Sequence, residues 1–132
     1  RAFRRLKKLR TELYRRFLQK SFWMNFSVKI TENFRKEAKR LAKKYPSLKS
    51  DLEVLIRELE VNPEKETALG YNIFKIRMAI ASKGKGKSGG ARVITLVEIS
   101  DNTVYLISIY NKGDIDSISV DEILTIINTY FG

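Results

Sequence analysis

Residues 91–112 read ARVITLVEISDNTVYLISIYNK. Two apolar runs rich in Val, Ile and Tyr flank Asp101-Asn102. β-branched and aromatic residues suit the pleated, half-buried surface of a sheet. Asp and Asn tolerate the backbone of a tight turn. The stretch therefore predicts two strands, 91–100 and 103–112, folded back on one another. An antiparallel pair of this kind is the seed on which the remaining elements must pack.

Upstream, YNIFKIRMAIA (71–81) alternates, with Phe74, Ile76, Met78 and Ile80 on one face and Lys75 and Arg77 on the other. It predicts a third strand and so a meander. Further back, NFSVKIT (25–31) sets Phe26, Val28 and Ile30 against polar neighbours, which predicts another half-buried strand. Two helices lie between. Phe34, Ala38, Leu41, Ala42 and Tyr45 form one apolar stripe, and Leu48, Leu52, Leu55, Ile56 and Leu59 form a second with the same spacing. Pro46 separates them and Asn62-Pro63 ends the second. Both stripes read as core-facing. At the far end, SVDEILTIINTYF (119–131) predicts a helix with Ser119 and Glu122 as its capping box. The order is β-α-α-β-β-β-α, an α+β domain with a largely antiparallel sheet. Its expected span is 24–132.

Residues 1–23 differ in character. They carry nine Lys/Arg and one Glu, and Phe3, Leu6, Leu9, Leu13 and Phe17 recur at helical spacing. They predict a basic N-terminal helix, suited to RNA, a membrane surface or a partner groove, or else an upstream extension. The other 109 residues carry seventeen Lys/Arg and fourteen Asp/Glu. Of those cations, six fall in 75–92, where there is no acid. Two basic zones point to a phosphate-rich partner. No apolar run is long enough for a membrane span, and none follows the basic opening residues as a secretory signal requires. A cytoplasmic location is expected. Cysteine and histidine are absent. That removes disulfides, thiolate metal sites, the commonest metal ligand and the usual general base near neutral pH. No cofactor is expected.

The second basic zone contains ASKGKGKSGGARV (81–93). Gly86-Lys87-Ser88 matches the end of the nucleotide-binding pattern G-x-x-x-x-G-K-[ST]. Ala81 stands where the first glycine belongs, and Gly89-Gly90 lead into a β-branched strand. A nucleotide loop must instead open a helix whose amides hold the phosphates. The loop still suits phosphate, because glycines allow close backbone approach and lysines supply charge. In a meander alternate strand ends lie together, so Lys83, Lys85, Lys87, Arg92, Tyr110 and Lys112 are expected to converge. Such an edge fits an RNA backbone, with Tyr110 either stacking on a base or lining the core rim.

Lys75-Ile76-Arg77, Gly84-Lys85-Gly86-Lys87-Ser88-Gly89-Gly90, Arg92-Val93-Ile94 and Tyr110-Asn111-Lys112 together resemble the RelE/HigB branch of the RelE/ParE toxin superfamily. The resemblance covers about 24–132. It implies the toxin of a type II toxin–antitoxin pair, a ribosome-dependent endonuclease that cuts mRNA in the A site and stops translation. It also implies a cognate antitoxin, with operator DNA bound only through the complex. The residues carried over are Lys75, Arg77, Lys85, Lys87, Arg92, Tyr110 and Lys112, with Lys83, Lys85, Lys87 and Arg92 on the RNA. The implied reaction is metal-independent attack of a 2′-hydroxyl on the adjacent phosphate. Lys75, Lys85 or Lys87 can serve as base and Tyr110 or Lys112 as acid, or the site can simply orient the 2′-hydroxyl in line. Arg77 and Arg92 would steady the phosphate. Gly113-Asp114-Ile115-Asp116 stand where many relatives have further charges such as Glu-Lys, so no role is carried past Lys112. Two other readings remain, a ParE-like gyrase inhibitor and a non-catalytic RNA-binding module.

Overall fold

The computed structural model describes residues 25–115 and 117–132. The basic helix expected over 1–23 lies outside them. The elements are β1 (Ser27–Ile30), α1 (Glu32–Lys44), α2 (Leu48–Val61), β2 (Thr67–Gly70), β3 (Ile73–Met78), β4 (Ala91–Glu98), β5 (Thr103–Asn111) and α3 (Val120–Phe131). They build one five-stranded sheet in the order β1-β5-β4-β3-β2.

The α+β class and the meander hold, with one strand more than the sequence predicted. Thr67–Gly70 pairs antiparallel with β3 through a two-residue turn. Tyr71 and Asn72 there both have positive φ, 55° and 61°, as a tight hairpin turn matched to sheet twist requires. The first strand pairs parallel to β5, Ser27 opposite Thr103. The remaining pairs are antiparallel.

α1 and α2 cover one sheet face. Phe34, Leu55 and Leu59 pack there against Ile76, Met78, Val93, Leu106 and Ile109. α3 covers part of the other, where Ile123 meets Ile73, Ile94, Ile107 and Tyr110. Burying one such side chain contributes about 1.5–3 kcal/mol. Two caps fix the helices. Thr31 Oγ1 accepts from Phe34 N at 3.3 Å and donates to Leu106 O at 2.8 Å, tying the start of α1 to β5. Ser119 Oγ accepts from Glu122 N at 3.1 Å, as the capping box predicts. No described helix is long and apolar enough to cross a membrane.

Candidate functional site

Register places the key cations. Arg77 lies opposite Arg92 on β4, and Arg92 lies opposite Tyr110 on β5. One row therefore crosses three strands on the α3 side of the sheet. Lys75, two residues before Arg77, shares its face. Two guanidinium groups on neighbouring strands repel one another, and the surroundings offset this differently for each.

Arg77 is more than half exposed. Its Nε donates to Glu66 Oε1 at 3.2 Å, and its backbone N donates to Glu66 Oε2, also at 3.2 Å. Glu66 (φ 59°) thus continues the ladder where β2 stops and neutralises part of the arginine charge. The terminal nitrogens of Arg77 have no protein partner among the described residues, leaving a planar fork for phosphate. Arg92 differs. It is buried, and its Nη1 and Nη2 donate to Lys87 O at 3.0 Å and Ser88 O at 3.2 Å. The sequence reading had Arg92 hold the phosphate. In the structure its terminal nitrogens are turned to the loop carbonyls instead.

The 81–90 loop is a bonded structure rather than an open hairpin tip. Ser82 N donates to Ser47 Oγ at 2.8 Å and Ala81 N to Asp51 Oδ2 at 3.1 Å, fastening its start to the head of α2. Lys112 N donates to Gly90 O at 3.1 Å, fastening its end to the continuation of β5. Gly90 has no space for a side chain, since a Cβ would stand 2.1 Å from Met78 O. Gly84 and Gly86 turn the chain with φ of 73° and 64°. The loop runs straight into β4 with no helix after it, as the argument against a nucleotide loop requires.

The expected convergence is met in part. Lys87 and Arg77 line one depression of about 230 Å³ together with Lys65 and Glu66. Lys85 is exposed, its stem packed beside Gly89. Lys112 follows β5 directly and meets the loop through its backbone. Lys83 turns the other way. Its Nζ donates to Asn111 Oδ1 at 2.5 Å and sits 5.7 Å from the centre of the Tyr45 ring, on the α1 side. It anchors the loop rather than facing the Arg77 row.

Tyr110 is 4% exposed. A ring that stacks on a base must be open to it, so the stacking expectation fails as the chain stands here. The residues before α3 cover the ring. Burial raises the phenol above its ordinary pKa, opposed by the Ile118 backbone, the Arg92 charge and the Ser117 hydroxyl. Although Ile118 and Ser117 lie close enough to bias it, Oη makes no hydrogen bond of ordinary geometry.

Two features beside these residues have no signature in the apolar pattern. Glu66 gave no signal, because an acid beside a strand has no periodicity of its own. The apolar stripe of α1 accounts for one side of that helix only. Its outer face carries Lys36, Lys39, Arg40, Lys43 and Lys44, all exposed. Lys44 Nζ lies 5.5 Å from the same Tyr45 ring that Lys83 approaches, so this cationic ridge runs into the loop.

A family model described as the RelE toxin of the RelE / RelB toxin-antitoxin system matches residues 28–129. That makes the protein a toxin of a type II toxin–antitoxin system. It belongs to the RelE toxin family. Among solved structures, a variant of the E. coli toxin RelE with two arginines replaced by alanine, in the free state, has 17% identity and a TM-score of 0.54, covering 80% of this chain and 97% of that one. The fold is shared. The intact E. coli RelBE toxin–antitoxin complex (17% identity, TM-score 0.49, 65% and 95% covered) and RelBE2 from Mycobacterium tuberculosis (14%, 0.46, 66% and 91%) also match.

Proposed function

We propose that the protein is an endoribonuclease that cuts mRNA in the ribosomal A site, in the cytoplasm, and is held inactive by a cognate antitoxin. The observation that carries this reading is the open Arg77 fork beside the pinned lysine loop. It offers a fixed cationic surface with no nucleotide-loop geometry. The scissile phosphate sits against Arg77, with Lys85 and Lys87 over it and Lys75 on the same sheet face. The 2′-hydroxyl attacks the phosphorus and gives up its proton to one of these lysines or to surrounding water. The P–O5′ bond breaks, leaving a 2′,3′-cyclic phosphate and a 5′-hydroxyl. Lys112, which follows β5 where the loop closes on it, protonates the leaving oxygen. Preorganised charge of this kind accounts for about 10²–10³ in rate per donor in other enzymes. Arg92 holds the loop and Tyr110 walls the site from the α3 side. The antitoxin interaction fits the family, and operator DNA is reached through that complex.

The test is a translation extract supplied with purified toxin and followed by primer extension. Cleavage confined to translated mRNA, lost in Arg77→Gln and in Lys87→Gln, is the expected result. Intact mRNA with trapped DNA–gyrase complex would replace this reading by gyrase inhibition. Intact mRNA with neither effect would leave an RNA-binding module.

A further inference from the structure

β3 runs on past the strand beside it. β2 begins at Thr67, opposite Lys75, so at Arg77 the sheet has an open edge among the described residues. The depression of about 230 Å³ lies at that edge, between β3, α2 and the 81–90 loop. Its floor includes Ile76 and Met78, both buried side chains of the core. Val54 of α2 stands at its rim, 52% exposed.

The polar lining falls into two kinds. Arg77 and Lys87 bring positive charge, and the terminal nitrogens of Arg77 have no partner among the described residues. Asp51 and Glu58 bring acceptors from α2. Asp51 is already engaged, since its Oδ2 accepts from Ser47 Oγ at 2.8 Å and from Ala81 N at 3.1 Å. Glu58 is freer. Its side chain is half exposed, Oε2 meets Lys65 Nζ, and Oε1 has no partner among the described residues. The walls stand ready without a ligand. Asp51 ties the loop to α2, Arg92 holds Lys87 O at 3.0 Å, and Glu66 holds Arg77. Such a site spends little on ordering when it is filled.

Cations beside an apolar floor with a carboxylate across it match a nucleotide better than a run of phosphates. A second phosphate would be repelled by Glu58, whereas a base buries its face on apolar atoms. An ionised carboxylate accepts hydrogen bonds and donates none. Adenine, cytosine and guanine each carry an exocyclic amino group on the Watson–Crick edge. Uracil carries two carbonyls there around a single N–H.

Building on the proposed seat of an RNA phosphate at Arg77, we propose that this depression reads the adjoining base. The base lies on Ile76, Met78 and Val54 with its amino edge toward Glu58, and uracil is selected against. The selection is repulsive as well as attractive, because uracil sets carbonyl oxygens against a carboxylate.

The probes are 2′-O-methyl trinucleotides U-N-U, with A, C, G or U at the centre. They cannot be cut, because the attacking hydroxyl is blocked. They are titrated into the full chain and followed by methyl resonances. A, C or G at the centre is expected to bind about tenfold more tightly than U, the weight of one hydrogen bond to a charged acceptor, and to move the Val54 and Met78 methyl signals. Glu58→Gln adds an amide donor that uracil can accept, so the preference should shrink to within about threefold. Glu53→Gln, on the same helix but outside the lining, should leave it unchanged. Equal binding of all four, binding of none, shifts confined to α1 or α3, or a preference untouched by Glu58→Gln would each overturn the proposal. The probes report binding alone, so the two readings fail separately. Cut mRNA without base preference removes the pocket and keeps the nuclease, and base preference with uncut mRNA does the reverse.

Discussion

Arg92 and Tyr110 face one another across two strands and do different work from what their residue types imply. Arg92 spends its terminal nitrogens on Lys87 O and Ser88 O. Arg92→Ala leaves two loop carbonyls without that donor and is expected to cut cleavage about 10²–10³-fold, the scale of losing one preorganised donor. Because the loss acts through the loop, amide exchange at Gly90 and Lys112 should quicken in the same variant. Arg92→Lys, with one nitrogen in place of a fork, should recover only part of both effects. Tyr110→Phe makes the opposite prediction. Its hydroxyl is buried without an ordinary hydrogen bond, so stability should change by less than about 1 kcal/mol, and cleavage should persist. The phenol's pKa is raised by burial. The fold therefore favours its neutral form. That contribution is complete below the unfolded value of about 10 and is lost as pH rises through the higher folded value. Absorbance titration should find one of the six tyrosines ionising late, and the late component should vanish in Tyr110→Phe.

At the scale of elements, β5 depends on a residue from α1. The β4–β5 register slips between Ile94 and Thr95, leaving Ile107 without a partner on β4, and β1 ends opposite Leu106, so no described strand flanks β5 on that side at Ile109. Glu37 Oε1 accepts from Ile109 N at 3.3 Å, from Ser108 Oγ at 2.8 Å and from Asn33 Nδ2 at 2.8 Å. Glu37→Ala is expected to cost about 1–3 kcal/mol in chemical denaturation, and Glu37→Gln less, since it keeps an acceptor. Gly90→Ala should cost a similar amount through the clash with Met78 O. None of this was written in the pattern of apolar residues. Alternation revealed three strands of the meander because each has a buried face. It missed β2, where Leu69 alone is a large apolar residue in Thr67–Gly70 and the deciding signal is a left-handed Tyr71-Asn72 turn. Nor does alternation encode direction, so the parallel seat of β1 could not be read. The same limit applies to the site. Topology brought the loop, Arg92 and Tyr110 to one edge, but the side of the sheet that Lys83 takes, and the burial of Tyr110, follow from packing of α1 and α3.

For the whole molecule the informative quantity is where the charge stands. Cations stand on both sides of the loop, at the Arg77 edge and on the α1 ridge, whereas residues 48–66 carry six acids and three bases. Binding to a single-stranded RNA backbone should weaken linearly in log salt, each neutralised contact lowering the slope by about 0.7. Lys75→Gln, Lys85→Gln and Lys87→Gln are each expected to remove one such step in fluorescence titrations. Lys83→Gln should remove less, because its charge is spent on Asn111 and Tyr45.

The parallel seat of β1 against β5 also has a meaning in time. Ser27 pairs with Thr103, so the first described strand waits for the last before it has a neighbour. A nascent chain that has emerged only as far as α2 holds two amphipathic helices with no sheet to cover. Arg77 and the loop follow, but Gly90 O has no Lys112 N to close on until translation passes β5. The toxin's cationic edge is thus assembled late, only once β5 and Lys112 have been made.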